Sequence, residues 1–477
     1  MRTFKIKEAR VFETKPVPFW LAFGNVSPTP VPIVHYWVRI EDQFGTSAEG
    51  YASDFATPWF HKGVPLEDFL VKFRRTLVAA KNSVVSSGSF EHPFQLAYIR
   101  GDYLRNLAES NGTTALAGQG VMALEERAAL DAYGRLCRGE ALYLPIPDRV
   151  KDILGRIDPA LDGFDLSSLL PRPRKPTVTI RHTVGHTDPL YRSEIQGESE
   201  NPMNYSLEEF IDKFHFTHFK IKITDKIPES LQRLSQIAAL LEQKVGGDYY
   251  ITLDGNETFG SMEQVKEFVE QMAIDRNLSH FRGRVLYLEQ PFHRDGLRNL
   301  TQKDRDDIDT IQKKYHVRLL IDESGDQWNS YALAIKQGIH GTSLKLCKGV
   351  FHALTDVAMA KCLNGAGDSK EYFVSAEDLT AAVPGNLLHS LDLFSALRVL
   401  HAELNGFCKT TPLGDRTPNE VEHALANYPN LYRRVNGRVL LVPSGPYFPT
   451  MNIQKPGFGG GSFFDPNAQT DKRMELK

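Results

Sequence analysis

Between Lys220 and Asp378, charged side chains recur inside or at the ends of short apolar runs. FKIKI carries Lys220 and Lys222, ITLDGN carries Asp254, and LYLEQP carries Glu289. LLIDES carries Asp322, SLKL carries Lys345, and YFVSAED carries Glu377 and Asp378. Asp254, Glu289 and Asp322, brought together, would repel one another unless a cation neutralised them. A ligand set of oxygens alone, without Cys or His, suits Mg2+, which keeps waters that a substrate can displace. Two lysines flanking such an ion have a definite use. A substrate carboxylate on the ion can lose its α-proton to one amine, because the ion holds the enolate charge that water would not. The other amine can return a proton to the opposite face or protonate a leaving group. A lysine base must be neutral, so its pKa has to fall from about 10.4 toward 7–8. The ion and the neighbouring Lys220 would push Lys222 in that direction.

The elements that position these groups follow from the spacing. Apolar runs bounded by turn residues read as buried parallel strands. Lys222, Asp254, Glu289, Asp322, Lys345 and Glu377 follow one another at intervals of 32, 35, 33, 23 and 32 residues. One strand-plus-helix unit of an eightfold barrel takes roughly 30 residues, and its active site lies at the C-terminal ends of the strands. The fold class expected is therefore α/β, a (β/α)8 TIM-type barrel. With PTVTIRHTV as strand one, KIK is strand two. Asp254, Glu289 and Asp322 then end strands three, four and five, and Lys345 ends strand six. Strands two and six are opposite in a ring of eight, so Lys222 and Lys345 face each other across the ion. Alternation alone does not separate Asp322 from Glu323, one residue on. Lys345 is preferred to Lys348 because it stands at the strand end.

The remainder of the 477 residues leaves room for a second domain. Residues 3–12 alternate as a strand does. VPIVHYWVRIED, a turn from Asp42 to Gly45, and TSAEGYAS complete a small antiparallel sheet. Helices are expected over 66–85, 93–109 and 119–138, the last with Val121, Leu124, Ala128, Ala132 and Leu136 on one stripe. Sheet then helices indicates an α+β domain over 1–143, followed by a linker over 144–175 and the barrel over 176–412. GFCKTT is the expected eighth strand. A segment over 413–477, with a strand in NGRVLLVPSGP and a polar tail, returns to the first domain. Residues 186–204 are a polar insertion after strand one. The aromatics Phe19, Trp20, Phe23, Trp59 and Phe60 flank the sheet in loops, as either a lid or core. Arg181 and His182 near the end of strand one are within reach of a substrate or are structural partners.

Composition excludes several classes. The net charge is −3 and no basic stripe is present, so nucleic acid and anionic membrane are poor partners. No apolar run reaches transmembrane length. Cys137, Cys347, Cys362 and Cys408 are scattered, as in a reduced cytoplasmic chain, and Cys347 reads as packing.

KIK, DGN, LEQP, IDES and SLKLCKG in this order resemble the enolase superfamily, and within it the muconate-lactonizing-enzyme subgroup. Sites of that superfamily pair a Lys or His base with Mg2+. The resemblance implies a modified, enolase-like barrel with an N-terminal α+β capping domain and one Mg2+ per subunit. It implies acid/base roles for Lys222 and Lys345, and metal ligation by Asp254, Glu289 and Asp322, with Glu323 beside them. Lys220 would tune Lys222, Asn256 would stand behind the ligands, and Glu377 or Asp378 would meet the substrate. A homo-oligomer acting on a small carboxylate substrate is expected. The reaction expected first is racemisation or epimerisation. Cycloisomerisation and syn-elimination use the same parts, and a barrel that only binds a carboxylate is the non-enzymatic alternative. KGV after strand six departs from the subgroup's Gly-Gly.

Overall fold

The computed structural model describes residues 2–17, 29–196, 205–366, 370–378, 384–411, 413, 416–435, 437–460, 464–468 and 470–477. Phe19, Trp20 and Phe23, and the end of the 186–204 insertion, lie outside the described residues.

The alternating start of the chain forms β1, Phe4–Thr14, antiparallel to β2, Ile33–Asp42, which pairs with β3, Ser47–Phe55. The turn between β2 and β3 is closed by Asp42, whose Oδ1 accepts from the amides of Phe44 (2.9 Å) and Thr46 (2.8 Å). Three helices follow: α1 (Leu66–Val84), α2 (Pro93–Ser110) and α3 (Ala115–Leu136). Thr114 caps α3 from its side chain, which is why that helix begins at Ala115, ahead of the expected start at 119. The stripe itself is only part of what α3 buries. Glu125, Glu126, Arg127 and Asp131 are buried too, because α3 lies between the sheet and the barrel. The approach to the sheet is close at Gly50, where an added Cβ would fall 2.1 Å from the Ala128 carbonyl oxygen.

The barrel strands are β4 (Thr177–Val184), β5 (His218–Lys222), β6 (Tyr250–Asp254), β7 (Val285–Glu289), β8 (Leu319–Ile321), β9 (Gly341–Leu344), β10 (Phe373–Glu377) and β11 (His401–Glu403). Neighbours pair in parallel in this order, and β11 pairs with β4 to close the ring of eight. The helix Met262–Ile274 shows how the units are held. Met262, Val265, Phe268, Val269 and Met272 are all buried, as their helical spacing requires. Truncating a buried ring such as Phe268 to Ala costs about 3–5 kcal/mol.

Two expectations are corrected. GFCK is not the eighth strand but a short helix, Gly406–Lys409, and the strand precedes it at His401–Glu403. That strand holds Ala402 between two polar residues, too little apolar pattern to read. The segment Arg438–Leu441 pairs with Tyr432–Val435 in a hairpin and does not rejoin the N-terminal sheet. The return is made by Arg473–Glu475, which pairs antiparallel with β1, while Tyr447–Pro449 pairs with the start of β4. Among the described residues no helix is long and apolar enough to cross a membrane.

Candidate active site

The strand ends place the charged groups in one layer. Lys222 is in register with Asp254, and Asp254 with Glu289; across the ring Glu377 is in register with Glu403. Strand alternation puts Lys220 on the same inner face, one layer down. Its ammonium is 1% exposed and lies 2.7 Å from Glu377, 2.8 Å from Glu289, 2.9 Å from Asp254 and 3.1 Å from Glu403. Lys222 Nζ donates to Asp254 Oδ2 at 2.6 Å. Burial alone would raise the Asp254 carboxyl, but Lys220 and Lys222 outweigh it and hold it below the usual range.

Oxygens of Glu289, Asp322 and Glu377 all lie within 4.8 Å of one another. This buried acidic triad is able to hold a metal ion, and the donor set is all-oxygen. Glu289 shows the fit most directly. Its Oε2 is buried and completes no hydrogen bond, although Lys220 is 2.8 Å away. Burial and the charges of Asp254 and Glu377 push the Glu289 carboxyl well above its ordinary value. A cation at the triad relieves that repulsion. Asp254 stands beside the triad with Oδ2 turned to the two lysines.

Asp322 follows β8 and is fixed from several directions. Gln290 Oε1 accepts from its amide at 2.8 Å, Ser343 Oγ donates to its Oδ1 at 2.5 Å, and Lys345 donates to its Oδ2. Lys348 Nζ donates to the Asp322 carbonyl at 2.6 Å and to Ser343 Oγ at 2.8 Å. Lys348 is thus a buried brace, and Lys345, after β9, is the amine at the mouth. Burial would lower Lys345, but Asp322 holds its ammonium well above the usual lysine range in the absence of a competing cation.

Glu323 points the other way, toward the capping domain. It accepts from Trp59 Nε1 at 3.0 Å, from Lys62 Nζ at 2.6 Å and from Asn256 Nδ2 at 3.4 Å. Lys62 also reaches Glu257 Oε2 at 2.8 Å, and Arg294 donates to the carbonyls of Trp59 (3.0 Å) and Phe60 (3.1 Å). The loop after β3 is therefore latched onto the barrel mouth. Asn256, Glu257 and Gln290 beneath it have φ of +42°, +65° and +31°. Left-handed backbone at three non-glycine residues around one mouth marks a place where geometry is held against local preference. Of the two described lid aromatics, Trp59 faces the site, and Phe60 is core, stacked near Phe69 and Phe73.

No family model matches the sequence, and no curated protein is significantly similar to it. Solved structures are. An N-succinyl Arg/Lys racemase from Bacillus cereus ATCC 14579 matches with TM-score 0.58 and 16% identity, over 99% of this chain and 100% of its own. A dipeptide epimerase from Enterococcus faecalis V583, complexed with Mg and the dipeptide L-Leu-L-Tyr, matches with TM-score 0.56 and 15% identity, over 96% and 100%. A member of the enolase superfamily from Roseovarius nubinhibens ISM, complexed with magnesium, matches with TM-score 0.54 and 13% identity, over 99% and 100%. The fold is that of the enolase-superfamily barrel enzymes.

The predicted residues Lys220, Lys222, Asp254, Glu289, Asp322, Lys345 and Glu377 meet at one end of this barrel. Asn256 and Glu323 lie just outside them, and Asp378 lies beyond Glu377. Arg181 is a structural partner, donating to Glu377 Oε1 at 2.7 Å, and His182 is buried, its ring pushed down to about 3 by desolvation. Burial raises the Cys347 thiol, which leaves it inert. Sequence reasoning missed Glu403, Gln290 and Lys62, and took Lys348 only as a rival to Lys345. The Gln of LEQP, beside a quoted glutamate, was the one available signal among these.

Proposed function

We propose that this protein is an enzyme that removes the α-proton of a small carboxylate substrate and returns a proton to the same carbon, a racemase or epimerase. The observation that carries the reading is the placement of Lys222 and Lys345 on the second and sixth of eight strands, on opposite sides of the acidic cluster. Each amine contacts a different acid of that cluster, Asp254 for Lys222 and Asp322 for Lys345. Two bases on opposite faces suit inversion at one carbon better than addition or elimination on one face. The likeness to an epimerase and a racemase agrees with it.

Asp254, Glu289 and Asp322 are the proposed ligands of one Mg2+ per subunit, with Glu377 adjoining. The ion, when bound, takes the charge that develops on the substrate carboxylate as the α-proton leaves. The chain supplies the rest. Lys220 keeps the acids from repelling one another and adjoins Lys222. Lys348 and Gln290 fix Asp322. Trp59 and Lys62 close the mouth, which keeps water from the exposed carbon. A dipeptide or N-acyl amino acid is the substrate class proposed. A homo-oligomer, a cytoplasmic location and division into 1–143, 144–175, 176–412 and 413–477 complete the reading.

The test is solvent exchange. With Mg2+ and an acidic library in D2O, deuterium should enter at the α-carbon of a substrate and the epimer should accumulate. Lys222→Ala and Lys345→Ala should each abolish epimer formation while Mg2+ still binds. Full activity in both variants would refute the assignment.

A further inference from the structure

Lys220 stands among more acids than its three protons can serve. It donates to Glu289 Oε1 at 2.8 Å, to Glu377 Oε2 at 2.7 Å and to Glu403 Oε2 at 3.1 Å. Asp254 Oδ2 is a fourth oxygen, at 2.9 Å. Asp254 and Glu289 are proposed ligands of the ion, and Glu377 is one of the three acids whose oxygens lie within 4.8 Å of one another. Glu403 is in neither set, and its contact with Lys220 is unexplained by metal binding alone.

The chain builds a socket for Glu403. The residue ends β11, the strand that pairs with β4 to close the ring, and it is 1% exposed. Thr183 Oγ1 of β4 donates to its Oε1 at 2.5 Å. Thr183 is fixed in turn. Its amide donates to Asn405 Oδ1 at 3.1 Å, and Asn405 Nδ2 donates to Thr183 Oγ1 at 3.1 Å and to the Arg181 carbonyl at 3.2 Å. One oxygen of Glu403 is therefore tied to the closing seam of the barrel, and the other faces Lys220. A buried carboxylate needs a cation, and a buried ammonium needs an acid. An ion entering at Asp254 and Glu289 takes the acids that Lys220 now touches, and it repels the ammonium. Lys220 then depends on an acid that the ion does not claim. Glu403 is that acid, already in contact and already held.

We propose that Glu403 is a positioning residue that keeps the Lys220 ammonium off Asp254 and Glu289 when Mg2+ enters, and so sets the affinity for the ion. The inference rests on the ligand assignment above and adds a residue that acts through Lys220 rather than on ion or substrate.

The experiment is calorimetric titration of the full chain with Mg2+ alone. Glu403→Gln keeps the shape and an acceptor for Thr183, and loses the charge that holds Lys220. Its Kd for Mg2+ should rise at least fivefold, and a smaller rise overturns the proposal. A lost charge can also weaken the ion directly, so Lys220→Met completes a double-mutant cycle. In that background Glu403→Gln should change the Kd less than twofold, and a larger change overturns the proposal. If either variant fails to fold, Thr183→Val decides. It keeps every charge and removes the hydroxyl that fixes Glu403, so the Kd should rise at least threefold, and a smaller rise overturns the proposal. A wild type that binds no Mg2+ ends the ligand assignment and the proposal together. A wild type that binds it, with Glu403→Gln unmoved, ends the proposal alone.

Discussion

The ammonium of Lys345 lies 4.5 Å from the centre of the Trp59 ring, whose Nε1 donates to Glu323 at 3.0 Å. One capping-domain side chain therefore covers a barrel lysine and fastens itself to the barrel rim. The ring face favours the charged amine by about 0.5–2 kcal/mol, and the indole N–H fixes where the ring sits. Trp59→Phe keeps the face and loses the anchor. We expect KM to rise about fivefold with kcat changed less, and amides over residues 57–62 to exchange faster. An unaltered exchange profile would mean that the indole N–H does not hold the loop.

In the proposed mechanism the two amines serve opposite faces, so their losses should differ in stereochemistry. Lys222→Ala and Lys345→Ala should each lower epimerisation at least about a thousandfold. Each variant should keep α-deuterium exchange for one enantiomer, and the two variants should keep opposite ones. NMR on separated enantiomers reads this directly. The same residual enantiomer in both would place the two lysines on one face.

Glu289 is strained by its own neighbours, and this gives metal binding a thermal signature. Its carboxyl is held well above the usual range by burial and by Asp254 and Glu377. An acid with a raised folded pKa costs stability once pH exceeds its unfolded value near 4.3. At pH 8, Glu289→Gln should therefore raise the Tm of the metal-free protein. It should also remove the further rise that saturating Mg2+ gives wild type through mass action. Differential scanning calorimetry with and without Mg2+ separates the two effects. A Mg2+ shift that survives in Glu289→Gln would remove this residue from the ligand set.

Asp356 makes the pH dependence separable from the metal. Its carboxyl is pushed up to about 7 by burial, and its described hydrogen bond is from Thr342 Oγ1 at 3.2 Å. His352 is pushed down to about 3 by burial and gives it no charge. The folded state thus holds a proton that the unfolded chain releases near pH 4. That contribution is complete below pH 4 and is lost as pH rises through 7. Asp356→Asn should stabilise the protein by on the order of 4 kcal/mol at pH 8 and change it little at about pH 3.5. Urea unfolding at the two pH values tests it, and an equal change at both would contradict the burial argument.

What the sequence disclosed follows from how each group is carried. Lys222, Asp254, Glu289 and Asp322 end apolar runs at intervals of 32, 35 and 33 residues, and Lys345 ends the next run, so the barrel and its mouth could be read without coordinates. Glu403 could not, because β11 has one apolar residue between two polar ones. Lys62 and Trp59 find Glu323 more than 250 residues later in the chain. No local pattern encodes such a pairing. Lys348 lies three residues past Lys345, and only the tight turn Leu346–Lys348 brings it back under Asp322. The direction of a side chain after a strand end depends on that turn rather than on residue type.

The outer partner of β1 is Arg473–Glu475, from the opposite end of the chain. A ribosome adding about 5–20 residues per second delivers that partner on the order of a minute after β1 emerges. Until then the newborn sheet has a raw flank, while the ring of eight strands can already close. A transcript truncated just past the ring should thus yield a chain prone to clumping through that flank.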